Sequence, residues 1–282
     1  MSRRPLFLLV LGALSVAAAA LVWLAAFVVP GGRVLDGAAL RAFAGVARTP
    51  LQPSIHGVAV LADPLPFVLG GALLVGVALL RRRPLMAAIV PAVLVGANAC
   101  TQLLKPALAD LRIIDIGPMD RIYTGSWPSG HATASMSLAL CLVLVVGPRL
   151  RPLAALVGAT YAIGVGYALV ALGWHLPSDV LGGYLVAASF TLVGAAALAA
   201  LERRRPVPAA RRRAGPREAI PWAGAAAFAA VLAALALAFA LVRQYPQLVT
   251  ATARHAETLL VASVIGALGL ALTAGLALAL RR

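Results

Sequence analysis

The chemically versatile residues of this chain are few, and they stand between long apolar runs. Trp127-Pro128-Ser129-Gly130-His131 is the densest group, placed where one apolar run gives way to the next. The stretch reads as the first turn of a helix, because Pro128 suits the first helical position, where its missing N–H would be unpaired anyway. On that reading Ser129, Gly130 and His131 lie on a turn whose backbone N–H groups have no intrahelical partner, and such a turn is a ready anion site. A hydroxyl, a glycine that allows close approach and an imidazole together suggest phosphate chemistry. Other groups fit it. Lys105 and Arg112 flank six residues, and His175 stands four residues before Asp179 at a second break between apolar runs. Phosphoryl transfer needs positive charge and N–H donors around the phosphate oxygens, a nucleophile in line and an acid for the leaving group. Lys105 and Arg112 can supply the charge, and Ser129 and Gly130 the donors. His131 and His175 can supply acid and nucleophile, with Asp179 holding one histidine in the right tautomer.

These residues must be positioned by helices in a membrane. The chain has 282 residues, 62% of them hydrophobic, and a mean hydropathy of +0.96. The apolar residues fall in blocks long enough to cross a bilayer, which takes about 20 of them. The class is therefore all-α, a polytopic helical membrane protein. A net charge of +15 would point to nucleic acid in a soluble domain; here the basic residues cluster in short loops, as membrane topology requires, and no nucleic-acid partner is expected. Cys100 and Cys141 lie inside apolar runs and imply no disulfide framework.

Eight spans are expected. Residues 5–29 form the first, too long an apolar core for a cleaved signal, whose h-region is about 7–15 residues. A loop with a short amphipathic helix around Leu35–Val46 follows. The next spans cover about 57–80, 84–104, 128–146 and 153–174, and the sixth starts at the break around 175–179 and ends near Leu201. Lys105-Pro106 ends or offsets the third, because the residue before proline is pushed out of the α region. A linker over 202–218 carries seven arginines and three prolines, and two further spans cover about 219–241 and 257–280. The expected organisation is a six-span catalytic domain (1–201), a basic cytoplasmic linker (202–218) and a two-helix addition (219–282). Placing both termini in the cytoplasm gives that side 16 of the 24 basic residues, in agreement with the positive-inside rule. It also puts 105–127, which runs into the 128–131 motif, and 174–179 on the same extracytoplasmic side.

The order and spacing of these motifs resemble the type 2 phosphatidic acid phosphatase (PAP2) superfamily of integral membrane phosphatases. Its signature is K-x6-R-P, then P-S-G-H, then S-R-x5-H-x3-D. Here the first reads Lys105-x6-Arg112-Ile113, the second is complete at 128–131, and the third keeps His175-x3-Asp179. The resemblance implies a six-helix core in which His175 attacks phosphorus to form a phosphohistidine and Asp179 orients it. It implies that His131 protonates the leaving oxygen and then activates water, and that Lys105, Arg112, Ser129 and Gly130 hold the phosphate. It implies no metal or other cofactor, and a lipid phosphate or diphosphate as substrate. Polyprenyl (di)phosphate is the first expectation, with phosphatidylglycerol phosphate or phosphatidic acid next, in a bacterial plasma membrane. Two positions depart from the pattern. Ile113 replaces the proline after Arg112. The third motif's serine and arginine fall on Ala168 and Leu169, which removes one phosphate-binding guanidinium; Arg121, in the same loop as Arg112, is the candidate substitute. A lipid-phosphate binder weakened in catalysis, or a lipid transporter, is the alternative, though paired broken spans in repeated halves, the mark of a transporter, are not evident.

The remaining polar residues take plainer readings. His56 and His255 read as interfacial or capping residues, and Asp110, Asp115 and Asp120 as solvated loop charges. Trp127 and Trp174 fit an aromatic belt, and the arginines of 202–218 act as topology determinants. The oligomeric state is not legible.

Overall fold

The computed structural model describes residues 3–47, 50–108, 112–115, 120–123, 125–203 and 256–281. Over these residues the chain forms helices α1 (Arg3–Phe27), α2 (Pro30–Ala47), α3 (Gln52–Ala59), α4 (Pro64–Leu80), α5 (Pro84–Ala107), α6 (Gly130–Val145), α7 (Arg151–Ala171), α8 (Pro177–Arg203) and α9 (Ala256–Ala279). A single turn of 3-10 helix, Val60–Ala62, joins α3 to α4. The chain is a multi-pass helical membrane protein. Among the described residues α1, α5, α7, α8 and α9 are each long and apolar enough to cross a bilayer, and α3 and α4, bent by 53° at their break, are so only when taken together. Helix α6 is apolar but has only 16 residues, about 24 Å at 1.5 Å per residue. The expected seventh span (219–241) and all but the first two residues of the expected basic linker lie outside the described residues.

Helices α6 and α8 are the axis of the bundle. Each is apolar on all sides, the pattern of a helix buried all round, and nearly every residue of α6 is buried. Small residues let the axis close up, as at helix contacts inside membranes. A Cβ on Gly183 of α8 would come within 2.7 Å of the Ser129 carbonyl at the start of α6, and one on Gly158 of α7 within 3.0 Å of Ala139. The hydroxyls buried in this axis bond back to their own helices: Thr133 to the Ser129 carbonyl, Ser135 to Ala132, and Thr191 to Ala187. The outer helices turn bare leucines outward, such as Leu65, Leu69 and Leu73 of α4 at 60–69% exposure, as a lipid-facing surface requires. Helix α9 packs on the bundle, where the Tyr167 hydroxyl donates to the Ala262 carbonyl.

Three local expectations are corrected. The second span is not one helix over 57–80. Pro64 forces Asp63 into an extended conformation (φ −62°, ψ 162°), and the span breaks there. The fourth begins at Gly130 and not at Pro128, because Ser129 takes the N-cap, its hydroxyl accepting from the Ala132 N–H at 3.3 Å. The loop after α5 is not featureless. Arg112–Asp115 pairs antiparallel with Asp120–Tyr123 as strands β1 and β2, Arg112 opposite Tyr123 and Ile114 opposite Arg121. Helix α5 itself runs through Lys105-Pro106 to Ala107.

Candidate active site

Five helix ends meet at one end of the bundle, and each brings a polar group. The break between α7 and α8 is the most tightly specified. Helix α7 closes in a Schellman turn: Gly173 sits at φ +67°, the Gly173 N–H donates to the Val170 carbonyl, and the Trp174 N–H donates to the Leu169 carbonyl at 3.0 Å. A side chain at Gly173 would be strained, since that left-handed region favours glycine. Four residues later Pro177 opens α8 at its first position, and Asp179 reaches back to the Leu176 N–H at 3.1 Å, a capping-box arrangement. The same carboxylate oxygen lies 3.3 Å from His175 Nδ1. Asp179 is fully buried, so its charge is held by these contacts rather than by water. With Nδ1 at the carboxylate, Nε2 of His175 is the ring nitrogen turned away from it.

The start of α6 is fastened to this turn. The Ser129 N–H donates to the Asp179 carbonyl at 2.9 Å, and Trp127 Nε1 donates to the Ser178 carbonyl at 3.1 Å. Trp127 is buried against the bare backbone of Gly182, where a Cβ would meet its ring at 2.5 Å. The aromatic-belt reading of Trp127 is therefore corrected: it is a wedge between α6 and α8. Since its N–H is already used, Ser129 can offer an anion only its hydroxyl, while the N–H groups of Gly130 and His131 occupy the open end of α6. Helix α2 adds a clasp from outside. Buried Asp36 accepts from the Ser178 N–H at 3.0 Å and from the Ser178 hydroxyl, tying a second element to the first turn of α8.

His131 faces His175 across 6.5 Å between ring centroids. Its Nε2 lies 2.9 Å from Asp63 Oδ1, and Asp63 is the residue at the α3–α4 break. Trp174 lines the gap, 5.9 Å from His131 and 5.6 Å, edge-on, from His56. His56 therefore borders the site, which the interfacial reading did not anticipate. On the opposite side Lys105, in the last turn of α5, stands over α6: a Cβ on Gly130 would lie 3.8 Å from Lys105 Nζ and 3.4 Å from Gln102 Nε2. Of the residues singled out by sequence, His131, His175, Asp179, Ser129, Gly130 and Lys105 are thus gathered at one place. For Arg112 and Arg121 only the backbone is described: Arg112 stands on β1 and Arg121 on β2. Leu169, where the third motif carries arginine, is fully buried in the core and serves the turn through its carbonyl.

Asp63, Gln102 and Asp36 were missed. An acid inside an apolar run is a functional signal in itself, and Asp63-Pro64 carried it. Asp36 and Gln102 carried none, since only the packed helices bring them to the site.

The geometry offers a nucleophilic nitrogen, a second imidazole opposite it, a carboxylate on each ring, an ammonium group and a helix N-terminus. Two histidine–carboxylate pairs thus lie where the helix ends of the bundle converge. Residues 84–203, from the start of α5 to the end of α8, match the PAP2 superfamily model. The crystal structure of a transmembrane PAP2-type phosphatidylglycerolphosphate phosphatase from Bacillus subtilis shares the fold, with a TM-score of 0.50 and 22% identity over 73% of this chain and 98% of that one. A comparison with curated proteins finds no match.

Proposed function

We propose that the protein hydrolyses a lipid phosphate or diphosphate through a phosphohistidine, without a metal, at the extracytoplasmic face of a bacterial plasma membrane. The observation that carries this is the facing pair of carboxylate-held histidines beside Lys105 and the open N-terminus of α6. His175 Nε2 attacks phosphorus while the bond to the lipid oxygen breaks, and His131 gives that oxygen its proton. Water then attacks the phosphohistidine. His131, now neutral, takes the proton from water, and the P–N bond breaks to return the lone pair to His175. Lys105 and the N–H groups of Gly130 and His131 hold charge on the equatorial oxygens, where such donors matter most. Arg112 and Arg121 complete that set. The sidedness rests on the arginine distribution of the loops. The described PAP2-type neighbour is a phosphatidylglycerolphosphate phosphatase, so phosphatidylglycerol phosphate stands beside polyprenyl (di)phosphate and phosphatidic acid as a substrate to try.

The test is phosphate release by the purified full chain in detergent with EDTA, from those four lipids, beside His175→Ala. Release that survives EDTA and disappears in the variant is the expected result. A burial such as that of Leu169 at the arginine position favours the second reading, a phosphate-lipid binder with weak turnover. Binding of a lipid on the panel with no release from any would select it.

A further inference from the structure

The opposite end of the bundle carries a second polar concentration that phosphoryl transfer does not use. The start of α1, the start of α5, the start of α7, the end of α8 and the end of α9 surround a cavity of about 280 Å³. Among the described residues Arg4, Arg83, Arg151 and Arg203 line it, with Glu202 the one acid, and Met86 and Leu144 help form an apolar floor. Arg83 and Glu202 pair at 2.5 Å on the exposed side. Arg151 is only 8% exposed. Its Nη1 donates to the Leu280 carbonyl at 2.8 Å, and Arg4 Nη2 reaches the same oxygen at 3.2 Å. Two guanidinium groups thus share one neutral acceptor, and the buried Nε atoms of both find no hydrogen-bond partner among the described residues.

The plain account of these arginines is topology, since basic residues collect at cytoplasmic span ends. Topology needs charge at a solvated surface; it does not explain a buried Arg151 or two buried donors without acceptors among the described residues. Unpaired buried polar groups are costly, and four like charges round one cavity repel. An anion placed among them would relieve both problems. Guanidinium forks match phosphate oxygens in particular, and basic pockets between span ends take lipid headgroups. The apolar floor suits a ligand that also carries acyl chains.

We infer that the cavity bounded by Arg4, Arg83, Arg151 and Arg203 is a binding site for the phosphate of an anionic lipid headgroup, at the end of the bundle away from the histidines. It is separate from the hydrolytic site, and it stands whether or not that site turns over.

The experiment uses the full chain, delipidated in neutral detergent. Bound lipid is counted by native mass spectrometry, and thermal unfolding is followed against added phosphatidylglycerol, phosphatidylcholine of the same chains, or inorganic phosphate. The histidine end is unaltered in every variant, so a difference between variants reports on the arginine cavity. Wild type should retain one phosphatidylglycerol more than Arg151→Gln and show a saturable rise in Tm with phosphatidylglycerol that phosphatidylcholine does not reproduce. An equal, saturable rise with inorganic phosphate, lost in the same variant, would support the site with free phosphate as its ligand. Should Arg151→Gln fail to fold, Arg4→Gln combined with Arg203→Gln is read instead. Equal lipid counts and equal Tm responses in wild type and variants, or equal effects of the two lipids, would overturn the inference.

Discussion

The two histidine–carboxylate pairs are built in opposite ways. His175 and Asp179 are four residues apart, across one helix start, and the carboxylate is fully buried. It caps α8 and holds the ring at once, so local backbone geometry alone brings the pair together. His131 and Asp63 are 68 residues apart on different helices, and their side chains are 31% and 41% exposed. That pair exists only because α3 and α4 break at Asp63-Pro64 and because α4 packs beside α6. The contrast teaches that His175, the proposed nucleophile, is fixed by a turn, whereas His131, the proposed acid–base, is fixed by tertiary packing. The first should be rigid and unforgiving, and the second more tolerant of change.

Substitutions can break that contrast, and their effects should fall in order. His175→Ala should lower phosphate release by at least about 10⁴-fold, as loss of a nucleophile does, with protein yield and helicity unchanged. Asp179→Asn comes next, with a loss of up to about 10⁴-fold from the wrong tautomer; because the carboxylate also caps Leu176, stability should drop by about 1 kcal/mol, read by thermal unfolding. Arg121→Ala should lose about as much activity as Arg112→Ala, roughly 10²–10³-fold each. Near-wild-type turnover in Arg121→Ala would reject it as the substitute for the arginine missing at Leu169.

Asp63→Asn should cost less, about 10–10²-fold, a part of the 10²–10⁴ that general acid–base catalysis contributes. Its signature is kinetic: kcat falls with KM unchanged, and the loss shrinks with an aryl phosphate whose leaving group needs no proton. A uniform loss across leaving groups would show that Asp63 merely supports the fold. The smallest effect on activity belongs to Gly173→Ala. It should destabilise by about 1–2 kcal/mol, the cost of forcing a side chain into the left-handed region, and leave the turnover of folded protein near wild type.

The same contrast explains what could be read in the sequence. The helical membrane class, the placement of most spans and the His175–Asp179 pair rest on apolar blocks and a four-residue spacing, both properties of contiguous chain. Lys105 and the 128–131 motif were found as types and order, and their meeting needed the fold. Asp63, Gln102 and Asp36 were not found, since their partners lie on other elements; the Ser178–Asp36 contact joins residues 142 apart. Trp127 was misread because an aromatic residue at a span boundary looks alike whether it faces lipid or fills the space above Gly182. The start of α6 was misplaced by two residues because Pro128 and Ser129 are both good helix openers, and the hydroxyl took the N-cap. Strands β1 and β2 look like loop in the sequence, since their charged residues outweigh the paired isoleucines.

The central claim is that His175 carries the phosphoryl group. It is tested most directly by rapid acid and alkaline quenching of the enzyme with radiolabelled phosphate on the substrate selected by the release assay, with EDTA present. Wild type should carry a protein-bound label that is stable to alkali and lost in acid, as a phosphohistidine is, and His175→Ala should carry none. A label that persists in His175→Ala, or turnover in wild type with no phosphoenzyme at any time point, would contradict the account.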